Sequence, residues 1–281
     1  MLFSTPPCIT WHITNRCNLD CRHCYSRHSA VASEMGMTDV LQVVDRIAKA
    51  NTFKVHFGGG EPFMRPEIVE VTAALARRNI SVGVSTNGLL VDESLAERMR
   101  AAGLSSAYVS IDSVDSCVHD GIRGRAGAHK MALACARRFV AMGVEVFLCT
   151  VISRCNHKDI RALAEFGASN GIFKMNAKIF RPVGNGLASA AELMLSEDEA
   201  AQAQTSIAAV NKSGACRIIV ESCPCKPEHL IVLPNGDVPR CCYKSGPLGN
   251  VLRDDLRSIW ARVIQGPQCP GILRAPAEVA A

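Results

Sequence analysis

Short apolar, β-branched runs alternate along this chain with longer segments in which apolar residues recur at helical spacing. The strand-like runs are Cys8–Thr14, Phe53–Phe57, Ser81–Ser85, Ala107–Ile111, Val144–Val151 and Ile172–Phe180. Between them, the helical period predicts a first helix capped by Thr38, with Val40, Leu41, Val44 and Ile47 on one face. A second begins near Pro66, and others run near Asp92–Ala102, Ala128–Met142 and Lys158–Asn170. Alternation of this kind builds a parallel sheet. Six units predict an α/β fold, a partial (β/α)6 barrel with its working face at the loops that follow the strands.

Beyond the sixth strand, Arg181–Met194 reads as a connector and a further helix is expected over Glu197–Val210. Asn235-Gly236 then predicts a β-hairpin, and a short helix falls near Asp254–Ile264. The chain thus divides into a partial barrel over residues 1–187 and a small α+β unit over 188–281.

Composition narrows the function classes. With 281 residues and 48% hydrophobic content the chain can bury one large core plus an appendage. It has no apolar run of about 18 residues and no charged-then-apolar leader, so membrane and secretory roles are not expected and a cytoplasmic location is. The net charge of +5 is spread along the chain without a basic run, which argues against nucleic-acid binding. Fourteen cysteines in such a chain point to reduced thiols and metal ligation more than to disulfides.

Those cysteines carry the chemistry. "CNLDCRHCY" sets Cys17, Cys21 and Cys24 at C-x3-C-x2-C spacing in the loop after the first strand. Three thiolates can hold three irons of a cubane cluster and leave the fourth open; the alternative is a structural zinc completed by His23, His28 or a distant cysteine. After the second strand, "KVHFGGGEPFMRPE" places Gly58, Gly59 and Gly60 before Glu61 at the same end of the barrel. Glycines there let backbone approach a ligand, and their carbonyls can accept from an ammonium group.

Together these stretches resemble the radical S-adenosylmethionine (radical SAM) superfamily. "GGEP" at Gly59–Pro62, "STNG" at Ser85–Gly88, "SIDS" at Ser110–Ser113 and "GIRG" at Gly121–Gly124 extend the likeness along the barrel. The resemblance implies a [4Fe–4S] cluster on Cys17, Cys21 and Cys24 whose open iron is chelated by SAM. One electron, from a donor such as flavodoxin or ferredoxin, then cleaves SAM to a 5′-deoxyadenosyl radical that abstracts hydrogen from an unactivated carbon. It further implies Tyr25 at the adenine, Gly59 and Gly60 at the methionine amine, with Glu61 in the same motif, and Ser85 or Asn87 at the ribose or carboxylate. Arg123 would clamp the SAM carboxylate with its planar fork, and Ile179 would offer an adenine-contacting edge or simply pack.

The tail resembles the auxiliary-cluster domains called Twitch and SPASM. Cys225, Gly236 and Cys241 match the C-x(9–15)-G-x4-C signature, followed by "LGN" and "IW". The resemblance implies a second [4Fe–4S] cluster on Cys223, Cys225, Cys241 and Cys269, with Cys216 or Cys242 as substitutes and a zinc site as the alternative. Cys8, Cys117, Cys135, Cys149 and Cys155 lack partner spacing and read as packing residues.

The substrate is the least constrained element. With a barrel strand this close to residue 1, an N-terminal peptide-recognition domain is not expected, and that expectation gives weight to small molecules. The chain is therefore read as similar to the aminoglycoside (neomycin) epimerase type, with Cys242 as hydrogen donor and Asp112, Asp115, Asp120 and Glu221 around a polycationic sugar. Oxidation of an aminoglycoside, maturation of a ribosomal precursor peptide, and a non-enzymatic zinc-binding protein remain the alternatives.

Overall fold

In the first strand, β1 (Cys8–Thr14), Ile9, Trp11 and Ile13 are fully buried on one face, while Thr10 and His12 occupy the other. Period-two alternation of this kind, repeated strand after strand, gives the sheet an apolar back covered by helices and a polar front. The computed structural model describes residues 3–26, 33–221, 229–240 and 246–265. The order continues with α1 (Met37–Lys49), β2 (Lys54–Gly59), α2 (Ile68–Ala76), β3 (Ser81–Thr86), α3 (Glu93–Ala101), β4 (Leu104–Ser110), α4 (Ser116–Arg123) and α5 (Ala128–Ala141). It proceeds through β5 (Glu145–Ile152), α6 (Ile160–Ser169), β6 (Lys174–Ile179), α7 (Ala190–Leu193), α8 (Glu197–Ser213), β7 (Arg217–Glu221) and β8 (His229–Val232). β9 (Asp237–Pro239), β10 (Pro247–Asn250) and α9 (Leu256–Gln265) complete it.

The six expected strands are present, and the sheet gains one at each edge. Its order is β7-β6-β5-β4-β3-β2-β1-β8, eight strands, with every pairing parallel. The result is a curled half-barrel with a small C-terminal unit, in which β7 and β8, consecutive in the chain, lie at opposite edges.

Three local expectations change. α1 begins one residue before Thr38 and its N-cap is Gly36, without a side-chain cap; Asp39 in the first turn supplies the favourable charge instead. The Asn235-Gly236 turn forms, with Gly236 at φ 86°, but its flanking strands belong to different sheets. β1 takes the pairing edge of β8, so β9 turns away to pair with β10. Helix α4 was not anticipated: a short segment with an internal glycine hides its start, which Asp115 caps by accepting from the Cys117 N–H at 2.7 Å.

The C-terminal unit is tied to the barrel by long-range hydrogen bonds. Arg46 on α1 donates to the carbonyls of Leu252 and Asp254, and the Trp260 indole donates to the Phe3 carbonyl at 2.8 Å. Among the described residues no helix is long and apolar enough to cross a membrane.

Candidate active site

The loop after β1 brings Cys17, Cys21 and Cys24 to the wall of one cavity of about 430 Å³ on the inner face of the half-barrel. Backbone contacts hold this loop from two sides: Arg22 N–H donates to the Ile122 carbonyl, and Asn185 N–H donates to the Cys24 carbonyl, each at 2.9 Å. Leu19, Leu89 and Ala128 form an apolar pad against the three cysteines. The half-buried Cys17 thiol is pushed up to about 11 by burial, against a backbone hydrogen bond from Leu19. Burial also raises Cys21, while Arg123 works in the opposite sense.

The second and third glycines of "GGGEP", Gly59 and Gly60, are required by this loop. Gly60 N–H donates to the Thr14 carbonyl and Glu61 N–H to the Arg16 carbonyl, both at 2.8 Å, which lays the strand end against the cysteine segment. A Cβ on Gly60 would stand 2.2 Å from the Arg16 carbonyl oxygen, and one on Gly59, at φ 104°, 2.5 Å from that of Thr14. Both glycines line the cavity, as does Tyr25, whose ring sits 6.3 Å from that of His12. The Gly59 carbonyl accepts from Ser26 Oγ at 3.0 Å.

Several expected cofactor contacts are engaged by the protein itself. Glu61 is buried and accepts from Thr86 Oγ1 and the Asn87 N–H, each at 2.8 Å; burial pushes its carboxyl up to about 7 although these donors oppose it. It thus positions the loop after β3. Asn87 donates to Asn18 Oδ1 at 2.7 Å and accepts from the Leu89 N–H, and Ser85 pairs with His56 Nε2 at 2.7 Å. Arg123, at the end of α4, is buried and donates from Nε to Asp112 at 2.7 Å, with Nη1 3.9 Å from the Cys21 sulfur. Burial disfavours the Asp112 charge, but Arg123 and His23 hold its carboxyl well below the usual range. His23 Nε2 lies 3.1 Å from Asp112 Oδ2, which fixes its ring and leaves Nδ1 as its other nitrogen. Ile179 packs against the main core.

The carboxylates expected around a polycation are largely spent. Asp112 is fully buried in its ion pair, Asp115 caps α4, and Asp120 accepts from the backbone N–H groups of Gly127 and His129. Glu221 does line the cavity, with Lys178 at 3.7 Å. Cys8 and Cys149, read from sequence as packing residues, also line it, whereas Cys135 and Cys216 lie in the core. Cys223, Cys225, Cys241, Cys242 and Cys269 fall outside the described residues, as does His28. Sequence reasoning also missed Lys54, His56, Tyr108 and Asn176 on the cavity wall; the available signal was polar residues at alternate positions of strands whose other positions are apolar.

The residues fit an iron–sulfur cluster. Among the described residues no three His, Cys, Asp or Glu side chains converge tightly enough to hold one metal ion. Three soft thiols spread around one pocket suit several irons better than a single zinc, and the Arg123 cation beside Cys21 offsets thiolate charge.

Comparison with known proteins agrees. The family model of the radical SAM superfamily matches residues 11–167, and that of an iron–sulfur cluster-binding domain, SPASM, matches residues 223–265. The chain is similar to Fe-coproporphyrin III synthase of Methanosarcina barkeri, 32% identical over 56% of this chain and 40% of that protein. It is also similar to the mycofactocin maturase MftC of Mycobacterium tuberculosis, 27% identical over 95% of this chain and 74% of that one. In the first case the chain spans well under half of its relative's length. Among solved structures, Streptococcus suis SuiB bound to its precursor peptide SuiA superposes with a TM-score of 0.78 at 16% identity, over 94% of this chain and 66% of that one.

Proposed function

Because this chain belongs to the radical SAM superfamily, we propose that it modifies a ribosomally made precursor peptide by hydrogen-atom abstraction. SAM, a [4Fe–4S] cluster and an auxiliary iron–sulfur centre are its cofactors. When bound, the cluster on Cys17, Cys21 and Cys24 would pass one electron from an external reductant to SAM, whose reductive cleavage supplies a 5′-deoxyadenosyl radical. Cys17, Cys21 and Cys24 hold the radical-generating cluster, and Tyr25, Gly59, Gly60, Ser85, Asn87 and Arg123 frame the SAM site. Cys223, Cys225, Cys241 and Cys269 hold the auxiliary one. The chain's own part is to fix these groups. Arg123 and Asp112 brace the cysteine loop, Glu61 ties the loops after β2 and β3 together, and Leu19 and Leu89 pack as an apolar pad against the cysteines.

The observation that carries the peptide reading over the sugar reading is the spending of Asp112, Asp115 and Asp120 on internal partners. Among the described residues, a polycation would meet Lys54, Lys178 and Arg123 on the cavity wall against Glu61 and Glu221. The alignment with the mycofactocin maturase over nearly the whole chain supports the same choice. Aminoglycoside epimerisation with Cys242 as donor is the second reading; Glu221 on the cavity wall is the observation in its favour.

The test is anaerobic incubation of reconstituted protein with SAM, a reductant, and either short peptides encoded by open reading frames flanking this gene or neomycin-type aminoglycosides. Stimulated 5′-deoxyadenosine formation with a mass change in the peptide is expected. A modified aminoglycoside and an untouched peptide would overturn the proposal.

A further inference from the structure

The cavity does not stop at the cofactor end. It runs down the inner face of the half-barrel to the first residues of the strands, where Cys8 of β1 lies in register with Lys54 of β2 on one side and His229 of β8 on the other. A closed parallel barrel fills this level with branched apolar side chains. Here the lining is Thr10, Lys54, His56, Tyr108 and His229, with Lys178 and Glu221 higher on the wall.

Two groups on this floor point to a ligand. The Lys54 ammonium makes no ion pair or hydrogen bond among the described residues; its Nζ lies 5.7 Å from the centre of the Tyr108 ring. Tyr108 is fixed by stacking on Phe147 at 4.3 Å and by an edge contact with His56 at 4.7 Å, yet its hydroxyl has no hydrogen-bond partner among the described residues. His56 is in turn held by Ser85, and room for its ring comes from Gly83, where a Cβ would stand 2.8 Å from His56 Nδ1. An ammonium and a phenol on the wall of one cavity are two donors without an acceptor.

We propose that this floor chamber, built by Lys54 and Tyr108, is a subsite for a carboxylate of the substrate, such as an acidic side chain or a peptide C-terminus. The proposal rests on the reading of the chain as a substrate-modifying radical SAM enzyme. The charge balance selects the ligand. Lys178 is offset by Glu221 at 3.7 Å, and burial with the nearby lysines keeps the His56 imidazole neutral, its pKa lowered to about 3. Lys54 is thus left as the one uncompensated charge among these four side chains. A carboxylate monoanion matches it, whereas a phosphate dianion would bring a second charge into a half-enclosed site beside Glu221. Anchoring a substrate below the cofactor site would also fix which carbon faces the radical.

Binding is read on the reconstituted full chain by ligand-observed NMR titration with butyrate, its neutral isostere butyramide, and inorganic phosphate. Butyrate should bind at least tenfold tighter than butyramide and tighter than phosphate. Lys54→Met should remove that preference and Lys54→Arg should restore part of it, with iron content as the check on folding. If Lys54→Met fails to assemble, Tyr108→Phe, which deletes only the hydroxyl, should weaken butyrate several-fold. Equal binding of acid and amide, tighter binding of phosphate, or an unchanged butyrate affinity in the variants would overturn the subsite. Failure of the precursor peptide to turn over, with butyrate still bound at Lys54, would overturn the peptide reading alone.

Discussion

Arg123 and Asp112 form an enclosed ion pair, Nε to Oδ2 at 2.7 Å, and the same guanidinium reaches the Cys21 sulfur at 3.9 Å. The cation is therefore part of the frame that holds the cysteine loop, in addition to lining the cavity. Arg123→Ala leaves Asp112 fully buried without its guanidinium, with hydrogen bonds to His23 and the Val151 N–H remaining, and should cost roughly 3 kcal/mol or more of stability. Arg123→Lys keeps the charge but loses the planar fork, so it should recover part of that loss while retaining less iron than wild type. Denaturant unfolding and iron analysis of the two variants measure both effects.

Gly60 and Gly121 make an opposed pair. Gly60→Ala puts a methyl group 2.2 Å from the Arg16 carbonyl oxygen, a backbone atom that cannot yield without moving the cysteine loop. It should destabilise by roughly 1–3 kcal/mol and reduce cluster uptake. Gly121→Ala, in the middle of α4 with nothing within 4 Å, should leave cluster uptake intact and stabilise by about 0.5–1 kcal/mol. Reversal of that ranking in thermal unfolding would show that the loop is not held through Gly60.

Glu61 gives the fold a pH dependence. Its carboxyl, raised from 4.5 to about 7 by burial, binds its proton more tightly in the folded than in the unfolded chain. Its contribution to stability is fully present below 4.5 and is lost as pH rises through 7, up to roughly 3 kcal/mol. Glu61→Gln cannot titrate and should flatten that part of the profile. Urea unfolding of both proteins on either side of this window checks it; parallel profiles would remove Glu61 as the cause.

The barrel was legible because its strands carry apolar residues that must be buried, such as Ile9, Trp11 and Ile13, and the cluster loop because cysteine spacing is set by chemistry. The edge strands were not. β7 is a short run, and which sheet β8 would join depends on β1, more than 200 residues away in the chain, a pairing no local pattern encodes. The same limit explains Asp112, Asp115 and Asp120. Their charge is visible in sequence, but Arg123, the α4 N-terminus and the N–H groups of Gly127 and His129 that consume it are set by the fold. Lys54 and Tyr108 lie on separate strands, and only sheet curvature puts both on one cavity wall.

The division of labour between the two iron–sulfur sites gives the last prediction. Cys17, Cys21 and Cys24 line one pocket within the span of the radical SAM match, residues 11–167, and the SPASM match begins only at residue 223. Replacing all three by Ala should remove about four of about eight irons per chain, the content of one cubane of two. It should abolish 5′-deoxyadenosine formation, because the remaining cluster lacks the open iron that SAM requires. The fold should survive, since these thiols rest on a small pad of Leu19, Leu89 and Ala128 outside the main core. Burial, with the neighbouring carboxylate and thiol charges, raises the Cys17 and Cys21 thiols, so cluster insertion must deprotonate sulfur against both effects. Anaerobic iron and sulfide analysis, with electron paramagnetic resonance of the reduced protein, reads the outcome. Loss of all iron would mean that the two clusters assemble interdependently, and SAM cleavage at the wild-type rate would remove Cys17, Cys21 and Cys24 from the radical-generating site.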